Sequence, residues 1–541
     1  MKIDYPCMYE CMYNPLLIHP CRTQLSHLDE EHIVRFSGPM DQVPHEVLWI
    51  IGAATQHSPN LYLACKMMRN SRHENARICR RPRRTALLVD LHKMKSLRTL
   101  DFNDLNTITD LSPLTNMTTL DELHFSCCRG ITSLSSLSSL RSLRYLYCQY
   151  NRVITDLSPL SNIITLETLD FSFCYGITSL SSLSSLRSLQ HLYLTYLEKV
   201  TDLAPLSTLS SLQTLDCRNC SKISDLSPLS TLSSLQRLDC SDCCDISDLS
   251  PLSTLSSLQR LDCRNLHRYL SDLEPLSILV TLKSLDISGC KLISVLSPLS
   301  SMTSLRTLDF NHLNNITDLS PLTNLTTLET LDCSFCRGIT NLSSLSSLRS
   351  LRNLDCCHLP AIITDLSPLS NITTLETLEC SNSAKISDLS PLSTLSSLQT
   401  LNCSSCYDIS DLSPLSTLSF LQTLNCSSCC DISDLSPLST LSSLQTLNCS
   451  DCCDISDLSP LSTLSSLQRL DCKNLHRYLS DLEPLSSLVT LKSLDISGCK
   501  LIDDLSPLSR LTSLEMLRVS DAEGHIIISK SHKEVMDLLT Y

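Results

Sequence analysis

The chain has 541 residues with 31 Cys but only 8 Gly, 8 Phe and 1 Trp, and its 42 Lys+Arg against 56 Asp+Glu leave a formal net charge of −14. An apolar content of 42% with 4% aromatics points to one small packing solution used many times, not to several ordinary domains. The acidic balance excludes a general nucleic-acid coat, which needs a basic surface, and scarce Gly with abundant Leu excludes collagen-like and wholly disordered chains.

Met1 to Pro20 shows neither a basic start nor an apolar run ending at small residues, so no secretory signal is read there. No later stretch is apolar enough to span a bilayer. The expectation is a soluble, cytoplasmic or nuclear chain with reduced thiols. Residues 1–95 hold 13 Lys+Arg and 9 Asp+Glu, whereas the remainder carries 29 against 47. Within this basic head, Pro44 suits a first helical turn, with Glu46 near its favourable end. Val47, Leu48, Ile50 and Ile51 give an apolar face, and Asn60 to Met68 a second short helical pattern. The run P-x-E-V-L-x-x-I, a polar gap and L-x-x-A-C-K resembles an F-box. That resemblance implies that Pro44, Glu46, Val47, Leu48, Ile51, Leu61, Cys65 and Lys66 contact a Skp1-type adaptor of a cullin ubiquitin ligase. The match departs from the family pattern: Val-Pro replaces Leu-Pro, and the span to Cys65 is short. An N-terminal cap on the first repeat is the other reading. Arg77 to Arg84 is basic enough to imitate a nuclear signal or to serve as a solvated linker.

From about Ser96 the sequence copies itself. One copy, residues 421–443, reads LQTLNCSSCCDISDLSPLSTLSS, and its sixth position recurs from Phe102 to Val519 in nineteen units. Fifteen spacings are 23 residues and three are 24. L-x-x-L-x-C alternates as a half-buried strand does. The following I-S-D-L-S-P-L cannot be a central strand, because its Pro lacks a ladder donor, and a 3₁₀ or irregular turn is expected. These motifs resemble the leucine-rich repeat of the short, internalin-like class. The resemblance implies an α/β solenoid with a concave parallel β-sheet. Nine-unit duplication is also legible, since residues 306–356 closely match 98–148. The expected divisions are an N-terminal segment (1–39), an F-box-like motif (40–72), a basic linker or cap (73–95), the solenoid (96–520) and a C-terminal cap (521–541). That cap reads as a strand followed by a short helix starting at Ser531.

Six units carry C-x-x-C, which elsewhere signals zinc. Here positions six and nine are the inward sites of the repeat, so small buried thiols are the simpler expectation. Oxidative cross-linking between adjacent units remains geometrically open. Position five should face outward and is acidic in most units, among them Asp216, Asp239, Asp262, Asp286, Asp309, Asp332 and Asp355. With Arg237 and Arg260 at position three, this stripe is either a docking face for a basic partner or a solvated face amplified by copying. Two copies of N-L-H-R-Y, Asn265–Tyr269 and Asn474–Tyr478, fall in 24-residue units and should bulge. No catalytic constellation, phosphate loop or cofactor motif is read in the array. The resemblances together imply a non-enzymatic protein-binding chain, monomeric outside its complexes, with no membrane or nucleic-acid partner. The expected role is a ligase adaptor, with a plain scaffold or a surface adhesin as alternatives.

Overall fold

The computed structural model describes residues 75–77 (backbone only), 96–106, 108–475, 479–520, 526–529 and 533–534. They form one continuous sheet of 21 strands. Nearly all strands are three residues long, such as Thr423–Asn425 and Thr446–Asn448, and each pairs in parallel with the next in sequence. The repeat spacing sets the register. Thr423 faces Thr446, Leu424 faces Leu447 and Asn425 faces Asn448, so equivalent side chains stack in columns.

The opposite side of each unit is a short 3₁₀ segment, as in Ser227–Thr231 and Ser436–Thr440. The sequence dictates this. In residues 421–441 the buried positions are Leu421, Leu424, Cys426, Cys429, Ile432, Leu435, Leu438 and Leu441, all at most 1% exposed. Beyond Cys426 they recur every third residue. A period of three matches 3₁₀ geometry and not the 3.6 of an α-helix. Pro at the first or second position supplies the right φ and needs no N–H partner there. The Asp two residues before the segment caps it: Ser227 N–H donates to Asp225 Oδ1 at 2.8 Å, and Ser436 N–H to Asp434 Oδ1 at 2.8 Å. These carboxyls are held below the usual range by the Ser hydroxyl and the Ser amide. Where a threonine ends the segment, it ties the segment to the unit before. Thr231 Oγ1 donates to the Ser207 carbonyl and Thr254 Oγ1 to that of Ser230, both at 2.8 Å.

The 24-residue units place their extra residue in the loop after the ninth position. Leu266 and Leu270 are both buried although four apart, and His267, Arg268 and Tyr269 are pushed into solvent between them. The expected bulge is therefore real at the first N-L-H-R-Y copy, while three residues of the second, 476–478, lie outside the described set.

Each end of the array carries a further strand. Asn75–Arg77, placed by sequence in a basic linker or cap, is a strand paired in parallel with Thr99–Asp101. It was hidden because Ala76 stands where the repeat has Leu. At the far end, Ile526–Ser529 is the expected strand and runs antiparallel to Met516–Ser520, while Ser531, the expected start of a short helix, lies outside the described residues.

Candidate functional site

In each strand from Thr99–Asp101 to Ser493–Asp495 the middle residue, a Leu, points into the core, so the residues on either side of it share the opposite face. Asp216, Asp239, Asp262, Asp286, Asp309, Asp332, Asp355 and Glu379 are register partners along eight successive strands. Parallel strands lie about 4.8 Å apart, a spacing at which like charges repel.

A local hydrogen bond explains why the column tolerates this. The amide two residues on donates to most of these carboxylates, as Ser288 does to Asp286 (3.0 Å), Asn311 to Asp309 (3.0 Å), Ser334 to Asp332 (2.9 Å) and Cys357 to Asp355 (3.0 Å). This bond turns the chain off the strand. Asn402, Asn425 and Asn448 accept the same bond at 3.0–3.1 Å. The turn therefore needs the oxygen and not the charge.

The carboxylates are less solvated than an outward position suggests: Asp170, Asp216, Asp262 and Asp495 are buried. Burial, reinforced by Asp216, lifts Asp239 to about 6. Burial lifts Asp309 to about 7, with Asp286 and Asp332 adding to it. Asp170, Asp286 and Glu379 are also raised, by burial first.

The chain's own arginines divide the column in two. Arg218 spans Asp216 and Asp239 at 2.8 and 3.2 Å, Arg260 holds Asp262 at 2.7 Å, and Arg264 approaches Asp286 at 3.4 Å. Arg237 is exposed on the same face, in register with Arg260. From Asp309 to Glu379 the flanking column instead reads Thr307, Thr330, Asn353 and Thr377. None of those four carboxylates has an ion pair among the described residues.

Sequence reasoning missed the neighbouring column at position eight. Its backbone is left-handed in unit after unit, including Tyr150 (φ 61), Phe173 (φ 63), Tyr196 (φ 63), His312 (φ 61), Phe335 (φ 58) and His358 (φ 57). Such φ values are uncommon outside Gly and Asn. The turn imposes them, and stacking accompanies them. Phe173 lies between Tyr150 and Tyr196 at 4.3 and 4.7 Å, and Phe335 between His312 and His358 at 4.4 and 4.1 Å. A ring recurring every 23 residues was the available signal. The rings of the second stack follow Asp309, Asp332 and Asp355 by three residues in the same units.

The cysteines at positions six and nine of the described units are free thiols. The side chain at position nine donates to a backbone carbonyl of the unit before. Cys243 Sγ reaches the Cys217 carbonyl at 3.1 Å and Cys429 Sγ that of Cys403 at 3.2 Å. Asn151 fills the same place, donating to the Phe125 carbonyl at 3.0 Å. Burial pushes the thiols of Cys174, Cys290 and Cys336 up to about 12, so at neutral pH they keep the proton they donate. Among the described residues no group of three or more ligand-type side chains is placed to hold a metal, and no helix is long and apolar enough to cross a membrane. Pro44, Glu46, Val47, Leu48, Ile51, Leu61, Cys65 and Lys66 lie outside the described residues.

The family model for Leucine Rich repeats (2 copies) matches residues 118–162, 280–325, 373–417 and 419–463, in phase with the parallel strands and 3₁₀ segments described above. The chain is a leucine-rich repeat protein. Its repeat array is similar to an internalin from Listeria monocytogenes, at 30% identity over 59% of this chain and 83% of that one, with a TM-score of 0.45. It is also similar to the functional domain of InlJ from Listeria monocytogenes, described as including a cysteine ladder, at 21% identity over 81% and 86% of the two chains with a TM-score of 0.45. A third similarity, to a chain of the TLR13–ssRNA13 complex, has a TM-score of 0.52 at 21% identity, covering 79% of this repeat protein and 61% of that chain. No curated protein matches it.

Proposed function

We propose that this leucine-rich repeat chain is a protein-binding scaffold whose sheet face takes a basic segment of its partner, with the run Asp309, Asp332, Asp355 and Glu379 as the docking centre. One observation carries the reading. Among the described residues these four register-matched carboxylates have no ion pair, with Arg264 acting on Asp309 only at longer range, whereas Asp216, Asp239, Asp262 and Asp286 each have an arginine within 3.4 Å. A partner's Lys or Arg would relieve their mutual repulsion. The rings of His312, Phe335 and His358, three residues on from Asp309, Asp332 and Asp355, offer flat surfaces on which a guanidinium can stack. The same charge disfavours RNA or another polyanion on this face.

The test is titration of the full chain with labelled Arg/Lys-rich and Glu/Asp-rich peptides of equal length. The basic peptide should bind and weaken as salt rises. Equal binding of both peptides, or none of the basic one, would overturn the reading.

The F-box-like pattern from Pro44 to Lys66 supports a second role, recruitment of a Skp1-type adaptor by the N-terminal region. Full-length protein should retain such an adaptor in a pull-down, and Pro44→Ala/Leu48→Ala should release it. Absence of retention by the unaltered chain removes that role without touching the first.

A further inference from the structure

Most cysteines of the array are buried donors to backbone carbonyls, but a few stand one position later, where the loop turns outward. Cys430 is exposed, and Cys244 and Cys453 are partly so. Cys430 and Cys453 are 23 residues apart and therefore occupy the same place in consecutive units. Their strands pair in register, Thr423 with Thr446. The pairing continues into the loop, where Ser428 N–H donates to the Ser450 carbonyl at 2.7 Å. Both sulfurs converge on one oxygen, Cys430 Sγ at 3.8 Å and Cys453 Sγ at 3.6 Å from the Asp451 carbonyl. Neighbouring loops at the strand spacing of about 4.8 Å bring Cα atoms within the range a disulfide spans.

Cys244 supplies the contrast within the same molecule. It occupies the same loop place, but the units on either side carry Ser221 and His267 there. Its sulfur likewise lies near the carbonyls of Asp242 (3.6 Å) and Asn265 (3.8 Å), with no thiol at that place in either neighbouring unit. The buried thiols nearby are committed. Cys429 donates to the Cys403 carbonyl and Cys452 to that of Cys426, at 3.2 and 3.1 Å.

We propose that Cys430 and Cys453 form a surface dithiol that exchanges with a small-molecule disulfide of the glutathione type, closing to a reversible staple between two adjacent repeats. The thiolate of one cysteine attacks the small disulfide, forming a mixed disulfide and releasing one glutathione thiolate. The thiolate of the second then attacks the protein-bound sulfur, forming the Cys430–Cys453 bond and releasing the second glutathione. Two protein S–H groups are oxidised as one glutathione disulfide is reduced to two thiols, and the two protons pass to the released thiolates. Burial and the adjacent Cys453 push the Cys430 thiol above its ordinary value, so exchange quickens as pH rises above neutrality. The staple lies on the loop edge of the array, where its closure fixes two units against each other without disturbing the buried thiols.

The folded full chain is incubated with oxidised glutathione, its remaining thiols are blocked with iodoacetamide, and its peptides are mapped by mass without reduction. The expected result is a peptide pair joined through Cys430 and Cys453, reopened by reduced glutathione, while Cys244 carries a glutathione adduct. Cys430→Ser should leave Cys453 holding a stable adduct in at least several-fold excess over the parent chain. Stable adducts on Cys430 and Cys453 of the parent chain without a bond between them would overturn the proposal, as would joining of other cysteines in their place.

Discussion

At the scale of single residues, the repeat separates what the fold needs from what a partner needs. The oxygen at position five turns the chain, and Asn does this as well as Asp, so Asp→Asn removes charge and leaves the turn. Asp309 gives the sharpest case. Its folded-state value is about 7 against an ordinary 3.8, so the folded chain binds the proton more tightly than the unfolded one. The associated stability is fully present below 3.8 and is lost as pH rises through about 7. Asp309→Asn should therefore raise the denaturation midpoint relative to the parent at pH 8, by on the order of 1 kcal/mol after allowing for solvent screening. The advantage should vanish near pH 4, and denaturant titrations across that range measure it. Position nine is a different kind of site. Cys429→Val removes the donor to the Cys403 carbonyl and adds about a methyl group at a fully buried site, and should cost at least about 1 kcal/mol in the same titration. Cys429→Ala removes the same donor and opens a cavity instead, and should also cost at least about 1 kcal/mol.

At the scale of elements, the three-residue spacing of Ile and Leu, the Pro and the capping Asp together specify a 3₁₀ segment, and all three are visible in the sequence. Asp225→Ala removes the acceptor for the Ser227 amide. The segment Ser227–Thr231 should then open more readily, by about 1 kcal/mol, read as faster amide exchange in that unit with distant units unchanged. The strands and the inward columns were legible for the same reason: alternation and copying fix which side chains stack. The strand at Asn75–Arg77 was not, because Ala76 breaks the Leu pattern and only hydrogen bonding to Thr99–Asp101 marks it. The aromatic column was not legible either, since nothing local says that Phe173 or Phe335 occupies a left-handed turn. The division of the acidic stripe was partly legible. Asp216 to Asp355 could be placed on one face from spacing alone, but Arg218 and Arg264 reach the stripe from position seven, beyond the strand residues.

At the scale of the whole molecule, an array of identical columns converts a single residue choice into an extended surface. The last parallel strand, Met516–Ser520, is covered by the antiparallel Ile526–Ser529, so ending the chain at residue 520 should bare a strand edge. Self-association on size-exclusion chromatography is the expected outcome. The same copying accumulates charge, and the difference between a neutralised and an unneutralised half of one stripe is what gives this repeat array a candidate docking centre. The most direct test compares binding of the Arg/Lys-rich peptide by the parent chain and by Asp309→Asn/Asp332→Asn/Asp355→Asn, which keeps the turn bonds and whose folding circular dichroism can verify. Affinity should fall at least tenfold, about 1.4 kcal/mol, and the salt dependence should flatten. Unchanged affinity with an intact fold would contradict the assignment of this face.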